Sequence, residues 1–437
     1  MIDFGPILRK YKPSEEQNRA LKQTASEVMG RINAILEQKK IKAKSLLVGS
    51  VAKGTNLASG DIDLFVIFSK DYSSRDMERL GLMIGHEVLP EGREKYAEHP
   101  YVSGQHGDRK VDIVPCFEIN PGTRIISSVD RTPLHTDFVL KNLNAEGQDQ
   151  VRLLKLFMKG IGVYGSEIKV SGFSGYVCEL LVIKYGSMLK VLETFASLKG
   201  KMRISLEEGD MRDFDAPIVI IDPTDITRNA AAAISIENLS RMKINSRMFL
   251  ANPVEHYFNT GAIYFPEKYR ERGTVMRIFT LEKPDIIDDI LFSQANRFRN
   301  ILVQILEEDG FMPISSEVDL SDDIEAMVEC KLGKLPATKV HVGPPVDAQN
   351  AIDFIRKWSV GKATLGPYVC GDRLCADIPV EKRELEEVVR ERINGFVIGK
   401  NIDQFKAKMK IIDPSKSTRK FLVLGKFYSK VLPGLSP

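Results

Sequence analysis

No apolar run in the 437 residues approaches the ~20 needed to cross a bilayer as a helix. The opening stretch, MIDFGPILRKYKPSEEQ, also lacks the apolar core of a secretory signal, so a cytoplasmic protein is expected. Cysteine is scarce. Cys116, Cys178, Cys330, Cys370 and Cys375 are scattered, no two form a CxxC pair, and the Cys370/Cys375 spacing is unlike a zinc knuckle. Free thiols in a reducing compartment follow, rather than a disulfide scaffold. Low-complexity tracts and internal repeats are absent, leaving an ordinary globular composition, 43% hydrophobic and 28% charged. Neither sign of charge is in excess: 62 Lys+Arg against 59 Asp+Glu give +3, so the total says little about partners.

Distribution says more. Residues 401–437 carry eight basic side chains, at 406, 408, 410, 416, 419, 420, 426 and 430, against Asp403 and Asp413. Such a surface suits a polyanion, and a solvated tail fits the count equally well. At this length two or three domains are expected, because single cores rarely grow beyond ~250–300 residues.

Helical periodicity follows Pro13-Ser14-Glu15-Glu16 over residues 13–40, with Leu21, Ala25, Val28, Met29, Ile32 and Ile35 on one face. Strands are expected at 45–48, 61–68 and 110–116, with a helix over 76–88 between the last two, an α/β layout in the first ~140 residues. Helices follow over 148–161, over 175–198 from Ser174, and over 236–250 from Ser235, with a short strand at 217–221. Residues 251–266 read as a boundary. The last third is mixed: a long helix over 285–308, strands at 325–331 and 338–342, a helix over 348–358, and a hairpin over 367–379 around Gly371-Asp372.

Within this layout, GSVAKGTNLASGDIDLFVIF (49–68) poses a chemical problem. Asp61 and Asp63 share a strand face at the entrance of an apolar run, with Ile62, Leu64, Val66 and Phe68 on the other face. Adjacent carboxylates repel and resist burial, so a positive partner belongs there. Phosphatase-type D-x-D sites place the acids after the strand, whereas here they precede it. A P-loop is excluded because Gly54 is followed by Thr55, so the Walker lysine is missing. Gly49-Ser50 still offers backbone N–H groups and a hydroxyl to phosphates. A third acid, Asp112, stands alone in KVDIVPCF. By itself it is equally a hydrogen-bonded core acid, but the trio is suited to a pair of Mg²⁺ ions about 3.5–4 Å apart.

Gly-Ser, a spacer of about eleven residues, D-x-D and a later strand Asp together resemble the polymerase-β-like nucleotidyltransferases. RTPLHTDFV (131–139), VRLLKLFMKGIGVYG (151–165), GFSGYVCELL (172–181) and IDPTDITRNAAAAIS (221–235) narrow the likeness to the archaeal, class I CCA-adding enzymes. EHPYVSG (98–104) and KPDIIDDIL (283–291) fit the same family. The resemblance covers residues 45–310 well and rests beyond them on length and element order.

That resemblance implies template-independent addition of C, C and A to tRNA 3′ ends from CTP and ATP, with Mg²⁺ and release of pyrophosphate. It assigns the metal to Asp61, Asp63 and Asp112, and the incoming nucleotide to Gly49, Ser50 and Lys53, where many members have Arg in place of Lys53. His135, Lys155 and Tyr164 match the triphosphate and sugar contacts, and Arg228 the base-reading arginine, with Asp222 and Asp225 near enough to orient it. Arg152, Lys155 and Lys159 share one face of the 148–161 helix, either a row of cations toward the polyphosphate or a solvated basic face. Arg228 is otherwise a surface salt bridge, and His135 alone is otherwise structural. Phe173, Tyr176 and Cys178 read as packing; His86, His106, His256 and His341 show no ligand spacing. Arg297 and Arg299, on what is otherwise a solvated helix face, and Lys416, Arg419 and Lys420 are candidates for the acceptor and TΨC arms of tRNA.

The expected fold class is α/β plus α+β multidomain. A polymerase-β-like catalytic domain spans 1–140, a helical central domain completing the nucleotide and base site 141–256, and a mixed α+β RNA-binding region 257–437. A monomer or homodimer is expected, with no membrane association. The rival readings are another template-independent RNA nucleotidyltransferase, such as a poly(A) polymerase, and a catalytically inactive RNA-binding relative.

Overall fold

The computed structural model describes residues 2–96, 99–119, 129–206, 214–259 and 272–428. They form two compact units, residues 2–259 and residues 272–428. The predicted boundary at 251–266, the start of EHPYVSG and Lys430 lie partly or wholly outside the described residues.

The first unit begins with α1 (Gly5–Tyr11) and α2 (Glu15–Gln38), the latter opened by a reciprocal capping box between Ser14 and Gln17. Then come β1 (Ala43–Val48), the short α3 (Gly49–Lys53), β2 (Ile62–Phe68), α4 (Ser74–Val88), β3 (Arg93–Tyr96), β4 (Pro100–His106) and β5 (Arg109–Phe117). Their sheet order is β1-β2-β5-β4-β3, with β2 and β5 parallel and the other neighbours antiparallel. The unbroken apolar run of β2 is explained by cover on both faces. Ile62, Leu64, Val66 and Phe68 pack with α2 and α4, while Phe65 and Ile67 pack with Val48, Val114 and Cys116.

A helical layer follows: α5 (Thr132–Asn142), α6 (Ala145–Gly160), α7 (Gly175–Tyr185), α8 (Met188–Ser197) and α9 (Ile236–Ala251). The small sheet β6 (Met202–Ile204), β7 (Ile218–Asp222) and β8 (Asp225–Asn229) is set among them. The single helix expected over 175–198 is two helices. Gly186 takes the left-handed conformation at φ +86°, and the Ser187 hydroxyl caps α8 by accepting from the Lys190 N–H. Apolar periodicity runs through the break, which hides it in the sequence. Ser174 and Ser235 cap α7 and α9 as expected.

The second unit pairs β9 (Val275–Glu282), β10 (Pro313–Leu320), β11 (Asp323–Cys330) and β15 (Lys410–Ile412) in the order β10-β11-β9-β15. One face is covered by α10 (Asp288–Glu308) and α12 (Leu385–Arg392), the other by α13 (Leu422–Tyr428). A separate sheet of β12 (Thr338–Pro345), β14 (Arg373–Pro379) and β13 (Leu365–Cys370) packs on α11 (Ala351–Trp358). β13 and β14 are the hairpin expected around Gly371-Asp372. Among the described residues no helix is long and apolar enough to cross a membrane.

Candidate active site

The parallel register of β2 and β5 makes Asp63 and Asp112 direct partners, and Val48 at the end of β1 lies opposite Asp63. Asp61 stands one residue before β2. Gly49, at φ +71°, turns the chain into α3, and a Cβ there would fall 2.0 Å from Asp63 Oδ2. Only glycine brings the backbone this close to the carboxylate while holding that dihedral.

The positive partner required by these acids is Lys110. Its ammonium donates to Asp61 Oδ2 at 2.5 Å and to Asp112 Oδ2 at 3.3 Å, while Ser103 Oγ donates to Asp112 Oδ1 at 2.5 Å. Charge compensation is incomplete. Burial, then the Asp112 and Asp61 carboxylates, push Asp63 up to about 7 against the pull of Lys110 and Lys53. An excess of carboxylate oxygen at one point fits a divalent cation, and the all-oxygen donor set fits Mg²⁺. Among the described residues no group of three such side chains closes into a ready-made cage. A divalent cation held by these carboxylates would share their oxygens with the Lys110 ammonium.

Ser50 is half-buried in the first turn of α3, and Lys53 in its last turn is buried. Lys53 Nζ donates to Glu179 Oε2 at 2.8 Å and lies 5.3 Å from the Tyr176 ring centre. Lys155, from α6, donates to the Thr55 carbonyl and hydroxyl at 3.1 Å each and pairs with Glu179 at 3.6 Å. Burial opposes the Lys155 charge and draws this ammonium below its ordinary value. Burial also works against the Glu179 carboxylate, but Lys53 and Lys155 keep it below the usual range.

The solvated basic face considered for this helix is not found. Arg152 is buried, donating to the carbonyls of Asn56 and Gly54 and to Asp149, so it joins α6 to the loop after α3. Lys159 is half-buried over the Tyr164 ring, 5.2 Å from its centre. A Cβ on Gly175 would lie 3.1 Å from Tyr164 Oη and 3.6 Å from Lys155 Nζ, so Tyr164, Lys155 and the start of α7 converge.

A second polar cluster surrounds the fully buried Asp222 at the end of β7. His135 Nε2 lies 2.9 Å and Arg228 Nη1 2.8 Å from its Oδ2. Tyr176 Oη donates to Oδ1 at 3.1 Å, and the Thr224 N–H and hydroxyl donate to the same oxygen at 3.0 and 2.8 Å. Burial raises the Asp222 carboxyl, yet His135 and Thr224 hold it well below the usual carboxylate range. Burial draws His135 below its ordinary value, against the opposing pull of the Asp222 carboxylate. Asp225 pairs with Arg131 at 3.0 Å rather than with Arg228. A cavity of about 720 Å³, lined in part by Arg131, Ser174, Asp225, Thr227 and Arg228, opens beside this cluster.

The remaining candidates lie in the second unit. Arg297 is exposed and donates to the Val397 carbonyl at 2.8 Å; Arg299 donates to its neighbour Asn300. Lys416 is exposed, 3.9 Å from Asp413, and Lys420 is exposed. Arg419 is engaged internally, donating to Asp323 at 2.9 Å and to the buried Glu325 at 3.0 Å.

Lys110, Ser103, Thr55 and Glu179 were not singled out by sequence, and Tyr176, read as packing, also hydrogen-bonds Asp222 and stacks on His135 with ring centres 3.8 Å apart. A signal existed for two of them. Lys110 shares a strand face with Asp112 two residues on, and Glu179 is a lone acid inside the apolar run YVCELLVI.

Comparison with known proteins covers most of the chain. Residues 29–135 match the nucleotidyltransferase domain, residues 149–259 the second domain of tRNA nucleotidyltransferase, and residues 272–413 the C-terminal domain of CCA-adding enzyme. The CCA-adding enzyme of Thermoplasma volcanium is 45% identical over 430 residues, 98% of both chains. That of Thermoplasma acidophilum is 45% identical over 428 residues, again 98% of both. The Haloarcula marismortui CCA-adding enzyme is 34% identical over 392 residues, 84% of each.

Proposed function

The chain belongs to the CCA-adding enzymes, and from that membership we propose that it builds and repairs the 3′-terminal CCA of tRNA from CTP and ATP, with Asp61, Asp63 and Asp112 holding the Mg²⁺ that the transfer uses. The observation that carries this reading is the direct register pairing of Asp63 with Asp112, with Asp61 joined to Asp112 through Lys110. Held by Asp61, Asp63 and Asp112, Mg²⁺ would supply Lewis acidity to a ribose 3′-hydroxyl and positive charge to the departing pyrophosphate.

The chain's own residues supply the rest. Gly49 and Ser50, with Lys53 and Lys155, meet the triphosphate, and Tyr164 bounds the site beside Lys155. His135 contacts the nucleotide from the Asp222 side. Arg228 gives one N–H to Asp222 and keeps further donors for acceptors that cytosine and adenine both present. Residues 1–140 then act as the catalytic part, 141–256 complete the nucleotide and base site, and 257–437 hold the acceptor and TΨC arms. In that last part Arg297, Arg299, Lys416, Arg419 and Lys420 are the candidate phosphate contacts. The enzyme acts in the cytoplasm as a monomer or homodimer.

The test is stepwise extension of tRNAs ending at the discriminator base, at C and at CC, each with one nucleoside triphosphate. CTP is expected to extend the first two and ATP only the third. Extension of all three by ATP contradicts CCA addition and favours a poly(A)-type activity.

A further inference from the structure

The two lysines assigned to the triphosphate are tied to one another through a side chain that no assignment includes. Glu179 lies between them on α7, accepting from Lys53 at 2.8 Å on one oxygen and from Thr55 Oγ1 at 2.6 Å on the other. Thr55 in turn accepts from Lys155 at 3.1 Å, and Lys155 stands 3.6 Å from Glu179 itself. All four residues are buried: 6% of Lys53, 3% of Lys155, 1% of Glu179 and none of Thr55 is exposed. Two ammonium groups and one carboxylate leave net positive charge.

Desolvating three ions is costly, and apolar side chains of equal volume commonly serve stability as well. The cluster therefore calls for a use beyond packing. A lysine ammonium is a point charge on a flexible stem, without the preset fork of arginine. A tether on one N–H fixes where the remaining donors aim.

We infer that Glu179 is a positioning residue for nucleotide binding: with Thr55 it holds Lys53 and Lys155 as one preorganised cationic wall toward the triphosphate, whichever base follows. The inference rests on the functional reading above. Preorganised charge of this kind acts without reorientation when the ligand arrives. Because CTP and ATP share the triphosphate, the effect is independent of the base, unlike any effect through Asp222 and Arg228.

The test compares the full-length chain with Glu179→Gln, measuring KM and kcat for CTP on tRNA ending at the discriminator base and for ATP on tRNA ending in CC. The amide leaves a buried ammonium without its counter-charge. KM is expected to rise about tenfold or more for both nucleotides, with their ratio preserved and kcat changed by less than about threefold. Glu179→Asp, which keeps the charge on a shorter arm, recovers part of the loss. If Glu179→Gln does not fold, Thr55→Val removes the bridging hydroxyl while keeping every charge, and about a threefold rise in both KM values is expected. A KM unmoved in the variants, a loss confined to active fraction, or a rise for one nucleotide only overturns the inference while wild-type turnover stands. A wild-type chain that incorporates neither nucleotide overturns the functional reading and this inference with it.

Discussion

Asp63, half-buried, and Asp222, fully buried, are carboxylates with opposite electrostatics. Asp63 is crowded by Asp112 and Asp61 and rises to about 7, whereas Asp222 is surrounded by donors and stays low. A carboxyl held below its unfolded value of about 3.9 stabilises the fold above that pH, and the contribution is lost as pH falls through the folded value. Asp222→Asn is therefore expected to lower the urea midpoint at neutral pH and to flatten its decline below about pH 4. An unchanged midpoint at neutral pH contradicts a stabilising contribution from the donors gathered on Asp222. Asp63 and Asp112 were legible because each interrupts an apolar strand, and Asp222 because it closes one. Glu179 carried a similar signal, but its partner Lys53 is 126 residues away, and no local pattern names a partner at that distance.

Among the elements, two glycines at positive φ make a controlled pair. Gly186 ends α7 at φ +86° with nothing near a would-be Cβ, whereas Gly49 at φ +71° abuts Asp63. Gly186→Ala is expected to cost about 1 kcal/mol of stability, read by denaturant unfolding, with activity retained. Gly49→Ala is expected to displace the Asp63 carboxylate and lower kcat about 100-fold or more. Equal activity losses in the two variants contradict the close packing of Gly49 on Asp63. Helix and strand periodicity made most elements around the site legible. β4 was not, because Ser103, Gly104 and Gln105 give it a polar, weakly β-forming sequence. Its place comes from pairing with β5 and from Gly85, where a Cβ would fall 2.4 Å from Val102 Cγ2. α5 was missed for a related reason: polar and apolar residues are mixed around TPLHTDFVLKN, so no stripe declares it.

On the scale of the whole chain, the basic residues near the C-terminus differ in their partners. Arg419 bonds Asp323 and the buried Glu325, which also accepts from the Val423 N–H at the start of α13. Arg419→Ala is expected to lower the melting temperature. Lys416→Ala leaves stability unchanged and makes log K for tRNA against log salt shallower by about 0.7–0.9 for each phosphate that is no longer neutralised. Unchanged slopes in Lys416→Ala and Lys420→Ala contradict phosphate binding there. Charge counting along the sequence found these residues, but it could not show that Arg419 is also tied to the buried Glu325. The proposed chemistry turns on the carboxylate trio. Its most direct test is Mg²⁺-dependent single-turnover incorporation of labelled CTP into tRNA lacking CCA, by wild type, Asp63→Ala and Asp112→Ala. Incorporation is expected to vanish in both variants while tRNA affinity stays within about twofold of wild type. Retained turnover in either variant contradicts the metal assignment and the mechanism built on it.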